Sequence, residues 1–239
     1  MPYYAHSYGD FLANQIYVVL LIPVMALSLW AQYQVSRNAR KYEITNSRRL
    51  TGAQAAEAVL RAHGVYDVAI RRTSGHLTDH YDPRSNAIYL SDSVYDRPTI
   101  TAVGVAAHEA GHAVQYAQNY APVRLRSAIV PATQLGSRAS FLLLFAGLIL
   151  YSQPLFLVGI LLFSMTTFFQ LVTLPVEFDA SRRALATIDG SALLEGDELT
   201  GARKVLRAAA LTYVAALLMS VLELLRYVLL FLGRRDEDS

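Results

Sequence analysis

Apolar residues along this chain fall into three long blocks separated by two charged, mixed stretches. Residues 11–36 contain no Asp, Glu, Lys or Arg, and neither do residues 139–176, a run of 38. A bilayer is crossed by about 20 apolar helical residues, so the first block predicts one span and the second predicts two. Ser152-Gln153-Pro154 interrupts the second block with the polar, helix-stopping residues of a tight turn, giving a hairpin of about 130–151 and about 155–175. The third block, 208–232, carries Glu223 and Arg226 at i, i+3. It reads either as a fourth span whose charged pair faces other helices or as an amphipathic helix on the membrane surface. The 15 uncharged residues before Glu223 favour the span.

Between the blocks the pattern changes period. Thr51 to His63 predicts an amphipathic helix capped by Thr51 and ended by Gly64. Val65 to Thr73 and Ala87 to Leu90 predict strands, and Asp96 followed by Pro98 predicts the start of a helix reaching about Asn119. The second of these strands, directly before that helix, offers an edge on which an extended peptide can pair. The expected fold class is a mainly α membrane protein: a helical transmembrane bundle of 3–4 spans with a small cytoplasmic α+β domain. Its parts are an anchor (1–36), a cytoplasmic part (37–127), a transmembrane hairpin (128–176), a cytoplasmic segment (177–207) and a fourth transmembrane helix with a charged tail (208–239).

Composition agrees with this class, at 54% hydrophobic and 17% charged residues. Met1 to Asp10 has no Lys or Arg, which argues against a cleaved signal peptide. Arg37, Arg40, Lys41, Arg48 and Arg49 follow the first block, and Arg124, Arg126, Arg138, Arg182 and Arg183 flank the second. By the positive-inside rule the N-terminus is outside and the mixed stretches are cytoplasmic. The net charge of +2 thus reflects topology rather than affinity for nucleic acid. The expected partners are the lipid bilayer and a protein or peptide substrate. Cysteine is absent, so a zinc site must use nitrogen and oxygen ligands, which suits an open, catalytic coordination.

His108-Glu109-Ala110-Gly111-His112, within the predicted helix from Val103 to Tyr116, is an H-E-x-x-H box. Its i, i+4 spacing places both imidazoles on one face, where they can share one Zn²⁺, and sets Glu109 beside that face as a general base. The longer metzincin box is excluded, because positions 115 and 118 hold Gln115 and Gln118 in place of Gly and His. The third ligand must come from elsewhere. A hairpin leaves and re-enters the membrane on one side, so Pro175-Val176-Glu177 returns to the compartment of the box, with Pro175 read as the first turn of a new helix. Glu177 is the candidate ligand; the alternative is a carboxylate that caps that helix or pairs with Arg182 or Arg183. Asp179 competes for the role but points about 200° away, and Ser181 shares the Glu177 face and can support a ligand. In the polar segment Gly75 to Arg84, His80 or Tyr81 can donate to an oxyanion and Asp79 or Asp82 can hold ligands; the alternative is a hairpin turn. His6 and His63 read as solvated.

The segments Leu77-Thr78-Asp79-His80-Tyr81-Asp82-Pro83-Arg84, Ala106 to Gln115 and Pro175 to Ala184 resemble the neutral zinc metallopeptidases of bacterial membranes, the YugP type. The resemblance covers nearly the whole chain and implies a multi-pass protein of the bacterial cell membrane with a zinc peptidase site. A looser similarity is to membrane gluzincins, whose second motif is E-x-x-x-D; Glu177 matches, but Ser181 stands where that Asp would be. The expectation is therefore a membrane zinc metalloendopeptidase with one Zn²⁺, using Glu109 with His108, His112 and Glu177. The rivals are a non-catalytic metal-binding scaffold and a transporter-like protein built on Glu223 and Arg226.

Overall fold

The computed structural model describes residues 8–75 and 78–237. His6 and two residues of the polar segment, His76 and Leu77, lie outside the described residues. In chain order the elements are α1 (Tyr8–Lys41), α2 (Gly52–Ala62), β1 (Ala69–Thr73), β2 (His80–Asp82), β3 (Ala87–Ser91), α3 (Ile100–Ala117), α4 (Ala121–Ile149), α5 (Gln153–Gly190) and α6 (Gly196–Glu237). Helices α1, α4, α5 and α6 are each long and apolar enough to cross a membrane. The third apolar block thus lies within a helix long and apolar enough to span.

Two expectations about helix ends are corrected. Pro175 opens no new helix: α5 runs unbroken through it to Gly190, as α1 runs through Pro23 and α4 through Pro131. Proline removes one backbone donor, and packing that compensates one missing bond lets the helix continue. Likewise the boundary expected at 207/208 is no helix start: α6 begins at Gly196 and runs unbroken from the segment 177–207 into the third apolar block, with no Pro or Gly near Arg207 to stop it.

The described residues divide into two compact units. One comprises those of 1–30, 126–172 and 213–239; the other comprises 31–125 and 173–212. In the first unit glycines let the hairpin helices close. A Cβ on Gly147 would lie 2.6 Å from the Phe156 nitrogen, and one on Gly159 would lie 2.8 Å from the Leu144 nitrogen. Large apolar side chains such as Val19, Leu135, Phe141 and Leu161 point outward, as a lipid solvent requires. The charged pair of α6 is partnered: the Tyr17 hydroxyl donates to Glu223 Oε1 at 2.6 Å, and the Arg226 guanidinium stacks over the Tyr17 ring.

The second unit is built around α3. Val103, Ala106, Ala107, Ala110, Ala113 and Val114 are buried on it, and their small size lets α2 and the inner ends of α5 and α6 approach. Helix α2 has the predicted cap: Thr51 and Gln54 form a reciprocal capping box, and Gly64 follows with φ +70°. Helix α3 begins later than Asp96, at a cap supplied by Thr99, whose hydroxyl accepts from the Ala102 N–H at 3.1 Å. The sheet order is β1-β3-β2, with β1 parallel and β2 antiparallel to β3. The strand expected as an edge beside the box, β3, is therefore central. The edge strand beside the box is β2, where the Tyr81 N–H meets Glu109; it lies inside the segment read as loop or turn, because three residues are too few to show alternation.

Candidate metal centre

The box sits where α3 packs tightly against α5. A Cβ on Gly111 would lie 2.6 Å from the Ala180 carbonyl oxygen, so only glycine permits this approach. It brings a helix face bearing His108 and His112 against one bearing Glu177. His108 Nε2 lies 3.2 Å and His112 Nε2 3.6 Å from Glu177 Oε2, and the three side chains offer ligand atoms all within 4.8 Å of one another. Tetrahedral zinc with bonds of about 2.0–2.1 Å sets its ligand atoms about 3.3 Å apart. The donor set thus fits that ion in chemistry and spacing, and His112 and Glu177 are buried.

The other ring nitrogens are held from behind. Ser181 Oγ is 3.0 Å from His108 Nδ1, and Gln115 Oε1 is 3.1 Å from His112 Nδ1. Gln115 is fully buried and its amide is fully used: Nε2 donates to the Val176 carbonyl at 2.8 Å and to Asp179 Oδ2 at 3.0 Å. With both amide hydrogens committed to acceptors, its oxygen must face the imidazole and His112 must donate from Nδ1. With Nδ1 as that donor, an Nε2 carrying no proton would turn its lone pair toward a carboxylate oxygen. Two electron pairs face each other there, and a cation or a proton between them relieves the repulsion.

Asp179 lies behind this network, not among the three candidate ligands. It is buried and accepts from Gln115, Arg182 and Arg183. Burial opposes its ionisation, but the Gln115 amide and the two guanidiniums outweigh burial and hold its carboxyl below the usual range. Arg183 also bonds Gln118 Oε1, so both glutamines tie the end of α3 to α5. No motif gave Gln115 a role at the centre; in sequence it only breaks the longer metzincin box. The available clue was its i+3 position on the His112 face of a helix whose neighbours are all small or apolar.

Glu109 projects toward β2, and the backbone N–H of Tyr81 donates to its Oε2 at 3.1 Å. Burial pushes the Glu109 carboxyl up to about 7; the charge of His108 and this N–H oppose the rise, and Glu177 and Asp79 reinforce it. Glu177 behaves oppositely. Burial disfavours its charge, but hydrogen bonds and charge from His108 and His112 hold its carboxyl well below the usual range.

The remaining candidates in the polar segment bond elsewhere. The Tyr81 hydroxyl donates to Asn86 Oδ1, and burial pushes it up to about 12. His80 stacks on Tyr89, with Nδ1 2.7 Å from the Thr78 carbonyl. Asp79 accepts from the Ser91 N–H and hydroxyl, tying the segment to β3, while Asp82 accepts from Arg84 and Ser85 and shapes the turn. His63 Nδ1 lies 2.9 Å from the Val59 carbonyl, one turn back on α2, and the ring is half-buried.

A chain of long apolar helices with a histidine-histidine-glutamate cluster on two packed helices has the makings of a membrane metallohydrolase. The chain belongs to the family described as "Putative neutral zinc metallopeptidase", whose model matches residues 17–232. It is 45% identical over 224 residues to "Putative membrane protease YugP" of Bacillus subtilis (strain 168), covering 93% of this chain and 100% of that protein. No solved structure matches it.

Proposed function

We propose that this protein is a membrane-embedded zinc metalloendopeptidase in which His108, His112 and Glu177 hold one Zn²⁺ and Glu109 is the general base. The observation that carries the reading is the meeting of two imidazole Nε2 atoms and one carboxylate oxygen at 3.2 and 3.6 Å, with both Nδ1 atoms already partnered. Zinc bound there supplies a Lewis acid for the scissile carbonyl and acidifies the attacking water. Glu109, raised toward neutrality and steadied by the Tyr81 N–H, accepts the water proton and returns it to the leaving amine. Ser181 and Gln115 keep both imidazoles aimed at the ion, and Asp179 anchors Gln115 in place of the acid missing at position 181. An extended peptide pairs along the free edge of β2, beside Glu109. By the arginine distribution the N-terminus is outside and this centre works at the cytoplasmic face of the cell membrane, on peptides of membrane-associated proteins.

The test is a pair of variants of the full chain. Glu109→Gln is expected to keep zinc and lose peptide cleavage by about 10²–10⁴-fold, whereas Glu177→Ala is expected to lose the metal itself. Unchanged cleavage by Glu109→Gln would remove that residue from the chemistry. Metal kept in a protein that cleaves nothing in either form would favour a scaffold.

A further inference from the structure

Beside the metal centre, α5 and α6 enclose a groove of about 290 Å³ lined by Arg182, Arg203 and Arg207 together with Ser181, Phe178 and Leu206. No acidic residue lines it among those described. Arg182 is committed to Asp179, while Arg203 and Arg207 make no ion pair among the described residues. The groove therefore carries uncompensated positive charge against an apolar wall, of which Phe178 is 47% exposed.

Ser181 joins this groove to the centre. When the His108 Nε2 lone pair is used for a metal, Nδ1–H donates to Ser181 Oγ and the hydroxyl proton remains to be given to something else. A ligand in the groove receives it from behind the imidazole, at the ring edge away from the metal-facing nitrogen. That position does not suit a peptide bond awaiting cleavage. It suits an anion of fixed shape: two guanidiniums and a hydroxyl match the donors a phosphate takes. The lining residues of α5 follow the charge-free run 139–176, and those of α6 lead into the uncharged residues 208–222, where headgroups lie.

We propose that the groove is a binding site for the phosphate headgroup of an anionic phospholipid, held by Arg203, Arg207 and Ser181, with the lipid's apolar portion against Phe178 and Leu206. This assignment stands on the membrane placement of the chain and, for the Ser181 contact, on the proposed metal at His108; it does not require that the centre hydrolyse peptides.

Native mass spectrometry of the full-length, zinc-loaded protein in detergent tests it with phosphatidylglycerol, phosphatidylcholine, inorganic phosphate and an acidic peptide as probes. Phosphatidylglycerol is expected to be retained over phosphatidylcholine. In Arg203→Gln/Arg207→Gln its retention is expected to fall about 30-fold, with zinc content unchanged as the check on folding. Arg71→Gln/Arg84→Gln, which removes the same charge elsewhere, is expected to retain the lipid as the wild type does. Phe178→Ala tests the apolar wall with little risk to folding and is expected to weaken lipid retention. Equal retention by both double variants, or equal retention of phosphatidylcholine, overturns the proposal. Displacement by inorganic phosphate at matched concentration identifies a free-anion site, and displacement by the acidic peptide identifies a substrate subsite; either overturns the lipid assignment.

Discussion

Gln115 is the residue on which the orientation of His112 rests. Its amide is saturated by three partners, so an apolar replacement leaves the His112 Nδ1–H, the Val176 carbonyl and Asp179 each short of one bond. Gln115→Leu is expected to cost about 1–3 kcal/mol of stability and to weaken zinc binding about 10–100-fold. Thermal unfolding of the metal-free protein and zinc titration measure the two effects separately. A variant that unfolds earlier but binds zinc as before would make Gln115 a packing residue only. The H-E-x-x-H box was legible in the chain because its chemistry is written in adjacent letters. The Gln115 link was not, since a lone glutamine acquires its meaning only when α5 supplies Val176 and Asp179.

At the scale of elements, the centre depends on how closely two helices pack. With a methyl on residue 111 the Ala180 carbonyl would be 2.6 Å away, so α3 and α5 must part or bend. Gly111→Ala is expected to destabilise the protein by about 1–3 kcal/mol and to lower zinc stoichiometry, read by differential scanning calorimetry and metal analysis. Full zinc occupancy in a stable variant would show that the helices can yield without separating the ligands. Helix existence was well specified by pattern, as α2 with its Thr51 cap illustrates. Helix ends were less so: a proline at 175 looks like a boundary in sequence, and only the surrounding packing decides that α5 passes through it. Strand β2 was illegible for another reason, because its three residues are defined by pairing with β3 rather than by their own alternation.

For the whole molecule, a ligand that binds only the folded chain stabilises it by mass action. Zinc at a thousandfold excess over its dissociation constant adds about 4 kcal/mol, so chelation is expected to lower the unfolding temperature of the wild type and leave that of Glu177→Ala unchanged. An equal response in both would place the metal elsewhere. Orientation is open to test because the chain has no cysteine of its own. A single cysteine at Ser152 is expected to react with an impermeant maleimide on intact cells, and one at Arg84 only after permeabilisation; the reverse pattern would invert the topology.

The choice of an amide rather than an acid behind His112 has its own consequence. The contact between ring and amide is buried and involves no carboxylate, so dissolved salt has little to screen. The alignment of that imidazole should therefore persist in brines that loosen the protein's exposed ion pairs, such as Arg48 with Glu195.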